Sequence, residues 1–180
     1  MPNAIILHGA GDAPDSYWLP YIKRGLEDSG YEVWAPALPG ADKPVLAEQL
    51  PFVLERGKFT AETTLIGHSA GCPLILSVLE NLPVCVRQAI LVSGYSRPLP
   101  AGANDILQVS YDWRKISAHV ADIIFINSDN DPWGCDDKQA RIMFDNLDGT
   151  LIIRHGQGHM GSTKFNQPYQ EFPWLLKLIV

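Results

Sequence analysis

Short apolar runs alternate with helix-spaced apolar residues along all 180 residues, which predicts an α/β fold: a mostly parallel sheet of about six strands flanked by helices on both faces. Two further observations agree. Hydrophobic residues make up 46% and charged residues 19%, an ordinary balance for a globular chain long enough to bury a core. Nothing repeats at a fixed period and no linker-like stretch divides the chain, so a single domain over 1–180 is expected.

The first strand is expected over 3–7, where Ala4-Ile5-Ile6-Leu7 is apolar without alternation, as burial on both faces requires. Trp18, Leu19, Ile22 and Leu26 then recur at helical spacing. A strand over 31–35 follows, and Leu46, Leu50, Val53 and Leu54 mark a second helix. The third strand, 62–67, carries the β-branched and apolar run Thr63-Thr64-Leu65-Ile66. The helix after it carries Leu74, Ile75, Val78, Leu79 and Leu82, with Pro73 tolerable in its first turn. A fourth strand covers 87–93. Residues 94–121 are the least regular, because Gly94, Pro98, Pro100 and Gly102 break any long element before a short helix around Tyr111 to His119. That segment is too short for a separate lid and suits a pocket rim. Strands over 122–127 and 150–154 enclose a helix marked by Ala140, Met143, Phe144 and Leu147. Phe172, Leu175, Leu176 and Ile179 predict the last helix.

Charge and composition exclude several functions. A net charge of −6 without a Lys/Arg cluster argues against nucleic acid as a partner. No apolar run approaches the roughly 18 residues of a membrane span. After Met1-Pro2-Asn3 the chain enters a core-like strand, leaving no room for a signal peptide, so a cytoplasmic location is expected. Cys72, Cys85 and Cys135 are an odd set without C-x-x-C spacing, which suits reduced thiols better than disulfides or zinc ligands.

The chemistry centres on Gly67-His68-Ser69-Ala70-Gly71, a G-x-S-x-G sequence between a strand and a helix. A serine on such a sharp turn needs a strained backbone, and side chains two residues either side would collide with it, hence the glycines. The turn lifts the hydroxyl above the sheet, where the helix N-terminus faces developing negative charge.

Serine is a poor nucleophile until a base takes its proton, and histidine has the suitable basicity when a carboxylate orients it. His8 and His68 lie beside the two glycine turns, and His119 ends a helix-like segment. Only His155 and His159 follow the last strand, and His159 has the greater reach within Gly156-Gln157-Gly158-His159-Met160-Gly161. The acid belongs to Ser128-Asp129-Asn130-Asp131-Pro132. Pro132 stiffens the backbone of Asp131 and so favours it, with Asp129 as the alternative. The oxyanion donors expected are the N–H groups of Ala70, after the nucleophile, and Ala10, in the glycine-rich turn His8-Gly9-Ala10-Gly11-Asp12. Tyr17, Trp18, Tyr95, Trp113 and Trp133 are candidate pocket walls.

The turn His8-Gly9, the elbow 67–71, the segment Tyr111-Asp112-Trp113-Arg114-Lys115-Ile116, the turn 128–132 and Gly158-His159-Met160 together resemble the small α/β-hydrolases of the retinoblastoma-binding protein nine and YdeN group. The resemblance covers most of the chain. It implies a compact α/β-hydrolase without a large cap, with Ser69, Asp131 and His159 as triad. Asp136-Asp137 depart from the group, whose members more often look apolar or proline-containing there. The expectation is thus a serine hydrolase forming an acyl-enzyme from carboxylic esters, with thioesters and small amides as neighbouring substrate classes, needing no metal or organic cofactor. The partner expected is a small ester-like molecule, with no protein partner indicated. A non-catalytic protein-binding scaffold and an acyltransferase are the rival readings.

Overall fold

The unalternated apolar runs become the inner strands of one sheet in the computed structural model, which describes residues 1–179. The strands are β1 (Asn3–Leu7), β2 (Glu32–Trp34), β3 (Thr63–His68), β4 (Gln88–Val92), β5 (Ile123–Asn127) and β6 (Thr150–Ile153). They lie in the order β2-β1-β3-β4-β5-β6, and every neighbouring pair is parallel. β1, β3, β4 and β5 are buried at every residue, whereas the edge strands β2 and β6 are partly exposed, as helices on both faces demand.

The helices are α1 (Leu19–Asp28), α2 (Leu46–Arg56), α3 (Gly71–Asn81), α4 (Trp113–Ala118), α5 (Asp137–Leu147) and α6 (Pro173–Leu176). Alternate strand residues feed two cores. Ile5, Leu7, Leu65 and Leu91 pack with α2, α3, α4 and α5, while Ala4, Ile6, Ile66 and Ile90 pack with α1 and α6. Each expected strand is present, with no end shifted by more than one residue. The last helix is a single turn, and α4 starts at Trp113, where the Asp112 carboxylate caps it by accepting from the Lys115 N–H. No helix among the described residues is long and apolar enough to cross a membrane.

The strand order reverses its direction of growth between β1 and β3. Leu7 lies opposite Gly67 in the register, so the chain leaves both strands side by side at their carboxyl ends. Ligand crevices form at such a switch point because the connections diverge to opposite faces.

Candidate active site

Ser69 leaves β3 with φ +53, in the left-handed region that a serine rarely adopts. The flanking glycines are steric requirements. A Cβ on Gly67 would lie 2.8 Å from Ile75 Cδ1, and one on Gly71 would fall into the carbonyl oxygen of Leu7. The Ser69 N–H donates to the Val92 carbonyl at 3.0 Å, and the Ser69 carbonyl accepts from Cys72 N–H at 2.9 Å, so both ends of the strained residue are held.

The β1 turn packs directly against this elbow. A Cβ on Gly9 would approach Ser69 Cβ to 3.1 Å and Asp12 Oδ2 to 2.6 Å. His8 locks the turn with both ring nitrogens. Nε2 accepts from Leu38 N–H at 3.0 Å, so Nδ1 carries the proton and donates to the Gly9 carbonyl at 2.9 Å. Burial lowers the basicity of His8, which suits this neutral tautomer. Among the described residues, the N–H groups of Ala10 and Ala70 have no acceptor in the protein.

The loop after β6 brings His159 to the same cleft. Its Nδ1 lies 2.7 Å from Asp131 Oδ2, with both side chains almost wholly buried. The other oxygen of Asp131 accepts from Trp133 N–H at 2.8 Å, which fixes the carboxylate plane. Asp129 is turned away and pairs with His155 on the surface. His119 is remote, its Nδ1 bonded to the Leu79 carbonyl at 2.9 Å between α3 and α4.

A cavity of about 630 Å3 opens beside Ser69, and Ala10, Tyr17, Tyr95, Trp133 and His159 are among its walls. Leu99 and residues 101–105 contribute to its rim, as the irregular segment suggested. Two expected aromatic walls lie elsewhere. Trp18 is fully buried at 5.6 Å from the His68 ring, its indole N–H donating to the Met160 carbonyl, and Trp113 packs on Tyr111. Apolar bulk alone does not distinguish a cavity wall from the core. Asp12, in the glycine-rich turn, is a further wall residue that no motif marks, and burial raises its carboxyl above the usual range. The cysteines are unpaired. Cys135 reaches the cavity, but burial raises its thiol well above the usual range, leaving a neutral and weakly nucleophilic group.

A strained serine at the switch point of a parallel sheet, sharing a cavity with a carboxylate-bound loop histidine, places the molecule in the α/β-hydrolase class. The chain belongs to the Serine hydrolase family, whose model matches residues 4–178. It is 32% identical over 116 residues to YdeN of Bacillus subtilis (strain 168), an alignment spanning 62% of this chain and 61% of that relative's length. The crystal structure of the B. subtilis ydeN gene product superposes with a TM-score of 0.89 at 24% identity, covering 99% of this chain and 97% of that one. A YdeN-like hydrolase from Pectobacterium atrosepticum SCRI1043 gives 0.73 at 18% identity over 99% and 89% of the two chains. Est1E from Butyrivibrio proteoclasticus, solved with ferulic acid, gives 0.75 at 12% identity over 99% and 86%. The structural likenesses establish the α/β-hydrolase fold, and the family model places the chain among the serine hydrolases.

Proposed function

We propose that the protein hydrolyses carboxylic esters through an acyl-enzyme on Ser69. The observation that carries the reading is the buried Asp131–His159 pair opening onto the cavity that Ser69 lines. Asp131 occupies Nδ1 of the imidazole, which leaves Nε2 to take the Ser69 proton as the hydroxyl oxygen attacks the ester carbonyl. The Ala10 and Ala70 N–H groups receive the resulting oxyanion. His159 then protonates the departing alcohol, and a water activated by the same nitrogen releases the acid. This sequence needs no metal or organic cofactor. Thioesters and small amides share the same intermediate and form the wider substrate class.

A fluorophosphonate probe on wild type and Ser69→Ala, with a p-nitrophenyl ester panel of rising chain length, tests the reading. Covalent labelling and turnover that both vanish in the folded variant support it. A folded wild type that neither labels nor hydrolyses any ester overturns it in favour of a binding scaffold.

A further inference from the structure

The main chain of His159 is held by side chains from elsewhere in the fold. Its carbonyl oxygen faces His68 Nε2 at 3.0 Å and accepts from Ser93 Oγ at 2.9 Å, and its N–H donates to Gln167 Oε1 at 2.8 Å. His68 and Ser93 have no exposed surface. They stand at the carboxyl ends of adjacent strands, His68 as the last residue of β3 and Ser93 as the first residue beyond β4. Because the atom opposite His68 Nε2 is a carbonyl oxygen, that nitrogen carries the proton. Burial drives the basicity of His68 down to about 3, so it remains a neutral donor across the physiological range.

Three features make this convergence more than ordinary satisfaction of buried polar groups. Both donors meet on one carbonyl, and that carbonyl belongs to the residue read as the base. The loop on either side is conformationally permissive, with Gly158 at φ +59 and Gly161 at φ +133, so its own backbone does little to hold the imidazole in place. Finally, His68 is the immediate neighbour of Ser69 in sequence, and Ser69 N–H is tied to Val92, the neighbour of Ser93. The strand ends that aim the nucleophile therefore also grip the base. Ser93 adopts φ +51, a strained conformation for a serine, at the point where it makes this contact.

We propose that His68 and Ser93 are positioning residues: their two hydrogen bonds to the His159 carbonyl set the imidazole against Ser69. The proposal rests on the reading of His159 as the base. Catalysis depends on reacting groups being placed within fractions of an ångström, so loss of a donor falls on turnover and spares substrate binding.

The test measures kcat and KM on a p-nitrophenyl ester, and thermal melting, for Ser93→Ala, His68→Leu and His68→Gln. Gln carries a donor nitrogen near the place of Nε2, whereas Leu has none. Ser93→Ala and His68→Leu should each lower kcat by about tenfold with KM within about twofold, and His68→Gln should recover most of the loss. Ser93→Ala that melts well above the assay temperature and keeps kcat within about twofold overturns the proposal. So does a Gln variant as slow as a folded Leu variant. If His68→Leu fails to fold, Ser93→Ala alone decides. Ser69→Ala and His159→Ala in the same assay separate the two readings: activity surviving in them refutes the site itself, whereas their inactivity beside fully active clamp variants refutes only the positioning role.

Discussion

His155 Nδ1 meets Asp129 Oδ2 at 2.6 Å, so the histidine and aspartate closest in sequence to His159 and Asp131 are occupied with each other. The second oxygen of Asp129 accepts from Gly156 N–H at 2.9 Å. This outer pair is wet: the His155 side chain is 94% exposed, against 6% for His159. The same two loops thus make two carboxylate–imidazole contacts, one at the surface and one buried at the cavity. Only in the buried one is the contact shielded from water and the imidazole confined to one orientation.

Asp131→Asn should therefore lower kcat/KM by at least about a hundredfold, because an amide cannot hold the imidazole in the correct tautomer or stabilise its protonated form. Asp129→Asn should stay within about threefold of wild type, as should His155→Ala. Steady-state kinetics on one ester with the three variants checks this, and equal losses at the two aspartates would move the acid to Asp129.

Ser69→Ala should remove at least about three orders of magnitude of esterase activity while leaving the fold intact. The substitution deletes one hydroxyl and keeps the Cβ, so the left-handed backbone is no more strained than before. Retention of more than a tenth of wild-type turnover in a variant with native circular dichroism would reject Ser69 as nucleophile.

Gly71→Ala should destabilise the protein by about 2 kcal/mol or more, which is roughly 4–8 °C in Tm for a domain of this size. The added methyl collides with backbone, the Leu7 carbonyl, which cannot swing aside as a side chain can. Activity should fall with it, since Leu7 leads into the turn bearing Ala10. A variant melting within a degree of wild type would show that β1 and the elbow can separate at little cost.

Stability should fall on acidification below about pH 6.5. Burial and the neighbouring His159 and His8 depress the basicity of His68, whose carbonyl partner only partly offsets them. Unfolded, this side chain takes a proton near 6.5, and folded only near 3, so the unfolded chain holds the extra proton throughout that window. His68 alone contributes a slope of up to about 1.4 kcal/mol per pH unit, with full stability above the window and progressive loss toward its lower end. His8 acts in the same direction, while the raised carboxyl of Asp12 opposes it just above the usual carboxylate range. Urea melts of wild type and His68→Gln from pH 7 to 4 check the sign. The variant's curve should be shallower, and parallel curves would mean that His68 titrates normally in the fold.

Much of this molecule is legible without coordinates, because the relevant forces act locally along the chain. Continuous apolar runs such as Ala4-Ile5-Ile6-Leu7 mark strands covered on both faces, since polar alternation would bury unpaired groups there. The elbow is legible for the same reason: a strained serine needs Gly67 and Gly71 within two residues of it. The approach of Asp131 to His159 was suggested by the stiffening effect of Pro132 and by family likeness, but spacing alone left Asp129 open.

Tertiary structure decided which partners meet across the fold. Two histidines four residues apart face two aspartates two residues apart, and only the crossing of their loops sorts the buried pair from the wet one. Trp18 and Trp113 look like pocket walls in sequence, yet Trp18 packs into the core and half-buried Trp113 packs against its edge, because apolar surface is buried equally well in either place. The grip of His68 and Ser93 on the His159 carbonyl spans 91 and 66 residues of chain. It left no periodicity or motif to read, because contacts at that separation follow from how β3, β4 and the loop after β6 come together in space.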